Sequence, residues 1–244
     1  MFGLFNSSSP DRLTTRPSSA AAAGLRHHVL GTPIAAEASS GQGAVLFGCG
    51  CFWGAEKGFW RLPGVVTTAV GYAGGQIADP GYELVCSGRT GHAEVVRVVW
   101  DRTAVGFADL LKLFWECHDP TQGDRQGNDR GSQYRSAIFV EDPELLAIAQ
   151  ASREAYAALL AGAGRGAITT EIGSGHPLYY AEPYHQQYLA KPGSRPYCSA
   201  QPTGLRLAEF PGSDYRLPAT VWQAYDWSVP HCVLRGDNQP IRLA

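Results

Sequence analysis

Cys51 lies in the run Phe47-Gly48-Cys49-Gly50-Cys51-Phe52-Trp53-Gly54, between an apolar strand-like stretch and a helix-like one. At the start of a helix, unpaired backbone N–H groups and the helix dipole favour a thiolate, so a depressed pKa and a nucleophilic sulfur are expected there. Phe52 and Trp53 offer an apolar wall beside it, and the flanking glycines let a substrate approach the backbone closely. A second reactive group is Glu94. With the period-two alternation of residues 92–100, Glu94 shares a face with Val96, Val98 and Trp100. If that face is buried, the desolvated carboxyl holds its proton to near-neutral pH and becomes an acid. On a solvated face, or paired with an arginine, it would be inert.

Other residues fit two readings each. Tyr72, Tyr82 and Tyr134 line a pocket or fill the core, and their phenols need partners if buried. The polar stretch of residues 119–132 suits a functional loop held by a rigid scaffold, or a solvated connection. Gly48-x-Gly50 followed by Gly54 has the wrong spacing for a dinucleotide fingerprint, with bulky Phe52-Trp53 in the turn, and is rejected.

Composition narrows the classes. The chain has 244 residues, 44% of them apolar, and a net charge of −2, which gives no basic field for nucleic acid or an anionic membrane surface. No apolar run approaches the roughly 20 residues a spanning helix needs. Six cysteines, with no C-x-x-C among them, are too sparse for a disulfide scaffold, and no Cys/His spacing suggests a metal. Residues 7–23 are rich in Ser, Ala, Thr and Arg with Asp11 the only acid, which fits a transit peptide or an arm wrapped over the domain.

These side chains need elements to position them. Strands are expected over residues 44–47, 65–70, 92–100, 134–140 and 167–172. Helices are expected over residues 51–61, 107–116, 143–162 and 183–190, and a glycine-rich loop over 71–91. Asp142-Pro143 reads as an N-cap and first-turn pair. Strands and helices alternate irregularly, which favours an α+β single domain with a mixed sheet packed against helices.

The segment Gly50-Cys51-Phe52-Trp53-Gly54-Ala55-Glu56 resembles the signature of the A-type peptide methionine sulfoxide reductases. The resemblance continues through Gly71-Tyr72-Ala73-Gly74-Gly75, Gly91-His92-Ala93-Glu94, Phe114-Trp115-Glu116-Cys117-His118-Asp119-Pro120, Arg125-Gln126-Gly127-Asn128-Asp129 and Gln133-Tyr134-Arg135-Ser136. Tyr184-His185-Gln186-Gln187-Tyr188 and Tyr197-Cys198-Ser199-Ala200 complete it, so that it spans residues 28–207.

It implies a ferredoxin-like two-layer sandwich with long coil termini: an arm over residues 1–43, a catalytic domain over 44–207 and an extension of unassigned role over 208–244. It also implies that Cys51 attacks the sulfoxide sulfur of methionine-S-sulfoxide, free or in proteins, while Glu94 protonates the oxygen with help from Tyr82 and Tyr134. Phe52, Trp53 and His185 would hold the substrate, and Asp129 would orient polar groups. Cys51 would become a sulfenic acid, condense with Cys198, and be recycled by thioredoxin as external reductant, with no bound cofactor. A monomer in the cytoplasm is expected, or in a plastid or other organelle if residues 1–24 are a transit peptide.

Two positions depart from the pattern. Many relatives carry a further cysteine about eight residues beyond the resolving one, where this chain reads Thr203-Gly204-Leu205-Arg206-Leu207. Cys232, in the extension, is a candidate second resolving thiol or an inert one. Two competing functions remain at this stage. One is a Cys/His hydrolase using His92, His118 or His185 as base without need of Cys198. The other is a non-catalytic module that binds methionine-like side chains.

Overall fold

In the computed structural model, six strands form one mixed sheet in the order β7-β6-β1-β3-β2-β8. They are β1 (Gln42–Cys49), β2 (Val65–Ala73), β3 (Ala93–Asp101), β6 (Ser136–Phe139), β7 (Glu171–Gly173) and β8 (Tyr179–Tyr180). The description covers residues 22–230 and 232–243, without the side chain of Cys232. The segment read as a transit peptide or arm therefore lies almost wholly outside the described residues. β6 and β7 run parallel, and every other pairing is antiparallel. Three main helices, α1 (Phe52–Trp60), α3 (Phe107–Cys117) and α4 (Pro143–Gly162), cover one face, giving the expected α+β two-layer sandwich.

Strand parity sorts the core. Val45 and Phe47 of β1 and Val96, Val98 and Trp100 of β3 point into the helical layer. Phe47 stacks on Phe59 at 4.8 Å and on Phe114 at 5.2 Å, so one aromatic ties β1 to both α1 and α3. The opposite face of the sheet has thinner cover. Ala22 and Ile34 lie against Ala69 there, and the Arg97 guanidinium donates to the Ile34 and Ala36 carbonyls. Asp142 caps α4 by accepting from the Glu144 N–H, as its position before Pro143 predicts.

Several expectations are corrected. The first residues of the glycine-rich stretch 71–91 extend β2, and the stretch also holds a short helix, α2 (Tyr82–Cys86). Five residues are too few to display a helical period. The polar stretch 119–132 is pinned by a small ladder of β4 (Arg125–Gln126) with β5 (Asp129–Arg130), and by the Gln126 amide donating to the Asp119 carbonyl. Residues 183–190 make only a 3₁₀ turn at Tyr188–Ala190, because Gln187 sits at φ 46°, outside the helical region.

The residues after 204 close over the back of α1 and α3. Glu116, fully buried, accepts from the Lys112 ammonium, the Arg206 guanidinium and the Leu207 N–H. Asp109 accepts from the Arg216 and Leu217 N–H groups. The Tyr225 hydroxyl donates to the Gly58 carbonyl, and Lys57 and Trp60 donate to carbonyls of Gly236 and Asn238. A short helix α5 (Ala219–Trp222) lies within this cover. All of α1 except Trp53 is buried as a result.

Removing a buried, multiply bonded anion leaves its partners unpaired. Glu116→Ala is expected to lower unfolding free energy by about 3 kcal/mol. Urea denaturation measures that loss, and limited proteolysis should show faster cleavage after residue 204.

Candidate active site

Cys51 is the N-cap of α1 and partly exposed, while every other residue of the helix but Trp53 is buried. The first N–H of the helix, that of Phe52, donates to Glu94 Oε2 at 3.0 Å. Glu94 reaches this spot from β3, opposite Tyr72 of β2, with its side chain in the helical layer as parity predicted. Only 2% of it is exposed, and burial pushes its carboxyl up to about 8, against the Phe52 hydrogen bond and with a further push from the Asp129 charge. At neutral pH it therefore carries a proton.

The expectation of a depressed Cys51 pKa is overturned. Burial and the neighbouring Glu94 raise it well above the ordinary thiol value, although the Trp53 N–H hydrogen bond to the sulfur favours the thiolate. The reason lies in how the helix end is used: its first donor serves Glu94, and only the next serves the sulfur. Thiol and carboxyl share a dry site that tolerates one negative charge more readily than two. A proton held on Glu94 removes the repulsion and makes the thiolate accessible.

Around this pair the aromatic residues converge. Tyr82 and Tyr134 both lie within the field of Glu94, and burial is the main cause that raises both phenols, so each stays a donor. Phe52 packs against Tyr72 and His185, with ring centroids 6.1 and 5.2 Å apart. Trp53 stacks on Tyr188 at 3.9 Å, meets Tyr197 edge-on, and donates from its indole to His185 Nδ1 at 3.2 Å. His185 is buried and held down to about 4, chiefly by desolvation, so it is neutral and accepts that bond. Asp129 accepts from the Tyr197 hydroxyl, which ties the polar loop to the segment carrying Cys198.

Cys198 is a free thiol, 7% exposed, on the inner side of α1. Gly54 makes room for it: a Cβ there would stand 2.7 Å from the Cys198 sulfur. A charge on Cys198 would add to the causes that raise Cys51. The structure thus brings together Cys51, Phe52, Trp53, Tyr82, Glu94, Asp129, Tyr134, His185 and Cys198. The side chain of Cys232 lies outside the described residues.

Some supporting residues were not singled out from the sequence. Glu182 accepts from the Tyr72 hydroxyl at 3.0 Å and the Tyr82 N–H at 2.9 Å, fixing α2 against β2. Gln186 bonds both the N–H and the carbonyl of Val70, extending the edge of β2 with a side-chain amide. Gln187 donates twice to the buried Glu56 of α1. The adjacent glutamines after His185 were the available signal.

The hydrolase reading finds no Cys51–His pair among the hydrogen bonds of its three candidate bases. His92 bonds the Gly75 N–H and the Ile77 carbonyl, His118 bonds the Phe114 carbonyl and Ser136, and His185 bonds Trp53. Both ring nitrogens of His92 and His118 are thus engaged, Nδ1 of His185 is taken by the indole, and none of these bonds reaches the sulfur of Cys51.

A family model described as peptide methionine sulfoxide reductase matches residues 43–210. The chain belongs to the peptide methionine sulfoxide reductase family. It is 61% identical over 183 residues to the peptide methionine sulfoxide reductase MsrA of Salinispora arenicola, covering 74% of this chain and 82% of that one. The methionine sulfoxide reductase A of Corynebacterium diphtheriae superposes with a TM-score of 0.66 at 47% identity, over 75% of this chain and 89% of its own. Mxr1 of Saccharomyces cerevisiae in reduced form gives 0.60 at 31% identity, over 67% and 92%.

The Cys51–Glu94 pairing makes opposite predictions for thiol and enzyme. Glu94→Gln removes the neighbouring negative charge, so the pH midpoint of Cys51 alkylation by iodoacetamide should move down. The same variant lacks the acid, and methionine release in a single turnover should slow about a hundredfold. Rapid-quench chromatography measures the second effect.

Proposed function

We propose that the protein reduces methionine-S-sulfoxide, free and in oxidised proteins, through a Cys51 sulfenic acid and a Cys51–Cys198 disulfide that thioredoxin recycles. Membership of the family makes it an oxidoreductase acting on methionine sulfoxide, with a general role in repair under oxidative stress. The observation that carries the route is the Phe52–Glu94 hydrogen bond of 3.0 Å, which holds a protonated carboxyl beside the nucleophile.

The chemistry follows from that juxtaposition. The sulfur of Cys51 attacks the sulfoxide sulfur. Glu94 delivers its proton to the oxygen, which would otherwise be a very poor leaving group, and the Tyr82 and Tyr134 phenols donate to the same oxygen. The apolar faces of Phe52 and Trp53 receive the S-methyl group, a small hydrophobe that gains from leaving water. The Trp53–His185 hydrogen bond fixes the indole plane. Oxygen passes to Cys51, methionine departs, and the sulfenic acid condenses with the Cys198 thiol, releasing water.

Disulfide closure needs Cys198 to move from behind Gly54, and the coil around it, residues 192–204 without regular structure, lets it do so. An external dithiol protein then reduces the Cys51–Cys198 disulfide by exchange. Neither a resident cofactor nor a second subunit is required by these steps, which suits a monomer, and its proposed place of work is the cytoplasm, or a plastid or other organelle if residues 1–24 are a transit peptide.

Two variants and two epimers test the route. Cys51→Ser should reduce neither epimer. Cys198→Ser should release about one methionine per chain from the S epimer and then stall with thioredoxin present, because the sulfenic acid has no partner. Turnover surviving in Cys51→Ser, or preference for the R epimer, would overturn the assignment.

A further inference from the structure

Behind α1, away from the substrate cleft, Cys49, Cys117 and Cys198 line one largely apolar cavity walled by Gly54, Gly58 and Trp227. Cys49 ends β1 and Cys117 ends α3, and both are buried free thiols. Their sulfurs lie within 4.8 Å of one another and of a ring nitrogen of His118. That trio has the donors of a soft metal site, but the ring is already engaged. Its Nδ1 is 2.7 Å from the Phe114 carbonyl and so carries the proton, and its Nε2 is 2.8 Å from the Ser136 hydroxyl. What remains is a pair of thiols in contact, with a third sharing their cavity.

We propose that Cys49 and Cys117 form a second, internal dithiol that takes the oxidation over from the Cys51–Cys198 disulfide, with Cys198 as the carrier. The proposal rests on the reductase reading above. In the first exchange the Cys117 sulfur attacks the Cys198 sulfur. The Cys117–Cys198 bond forms, the Cys51–Cys198 bond breaks, and the departing Cys51 sulfur receives the Cys117 proton. In the second exchange the Cys49 sulfur attacks Cys117, the Cys49–Cys117 bond forms, and Cys198 leaves and takes the Cys49 proton. Two thiols are oxidised and one disulfide is reduced, so electrons and protons balance, and methionine sulfoxide is the only oxidant consumed.

Two features favour this path and one opposes it. Cys198 already faces the cavity in the reduced state, so its return from Cys51 carries the mixed disulfide toward Cys117. Residues 199–207 downstream of it carry no cysteine, and Arg206 and Leu207 there are fastened to Glu116. The Cys49 hydrogen bond, with burial second, raises Cys117 well above the ordinary thiol range, which makes it a slow nucleophile in isolation. Proximity offsets that, since groups held in place react with large effective molarities. The inner disulfide, sealed from solvent, would store one oxidation and return Cys51 and Cys198 to the reduced state for another cycle.

Reductant-free stoichiometry of the full chain tests it. Pre-reduced, desalted protein is mixed anaerobically with excess methionine-S-sulfoxide, methionine per chain is counted, and disulfides are mapped in non-reduced peptides. The wild type should release about two equivalents and yield a Cys49–Cys117 cross-linked peptide pair, because each disulfide accounts for one sulfoxide. Cys117→Ser should release the first equivalent at the wild-type rate and stop at about one. The peptide map of the wild type reads the same linkage without any substitution. A wild type that stops at about one equivalent overturns the relay alone, while one that releases no methionine sinks the reductase reading with it. Loss of the second equivalent in Cys232→Ser rather than in Cys117→Ser also overturns the relay.

Discussion

The hydrogen bond from the Phe52 N–H to Glu94 fixes more of this molecule than any other contact. It joins the first turn of α1 to the middle of the sheet, and it does so one residue after the nucleophile. Because Cys51 and Phe52 are covalent neighbours, placing one places the other. The carboxyl therefore sits beside the sulfur by construction, not through a flexible side chain that must find it. The same bond satisfies a helix-end donor that would otherwise need water in a buried place. Moving Glu94 by one residue along its strand would put it on the opposite face, because residues alternate sides of the sheet.

That geometry also sets the chemistry. A helix terminus alone would favour two anions, the thiolate and the carboxylate, yet burial disfavours both. Desolvation is the largest cause at each group, and the outcome is an acid and a thiol that both hold their protons at neutral pH. The site is arranged for a leaving oxygen that needs a proton more than for a permanently ionised sulfur. Neutral His185 fits the same pattern, since burial disfavours its imidazolium as it disfavours the carboxylate.

Much of this was legible in the chain. Alternation in residues 92–100 put Glu94 on one face with Val96, Val98 and Trp100, though the structure was needed to show that face buried, and Asp142-Pro143 marked the start of α4. The position of Cys51 at a helix start was also correct, but the sign of its pKa shift was not. A sequence displays the helix, whereas desolvation and the Glu94 charge depend on what packs around the sulfur. The short helix α2, the β4–β5 ladder and the φ 46° of Gln187 were hidden for a related reason. Elements of two to five residues carry no period, and tertiary hydrogen bonds define them.

A second buried carboxyl shows why the site holds its shape. Glu56, one turn along α1, accepts from the Gln187 backbone and side chain and from the Thr68 hydroxyl, which in turn meets His27. Burial lifts it to about 7 against those hydrogen bonds. It thereby joins the helix, the sheet, the N-terminal arm and the segment that carries His185 and Tyr188 beside Trp53. Both carboxyls have folded-state pKa values above their unfolded ones. The stability they contribute is complete below about pH 4.5, and it is lost as pH rises through about 7 for Glu56 and about 8 for Glu94. The burial that equips Glu94 to donate a proton thus makes the first turns of α1 most secure in the protonation state that catalysis uses, and the two demands on α1 are met by one physical cause.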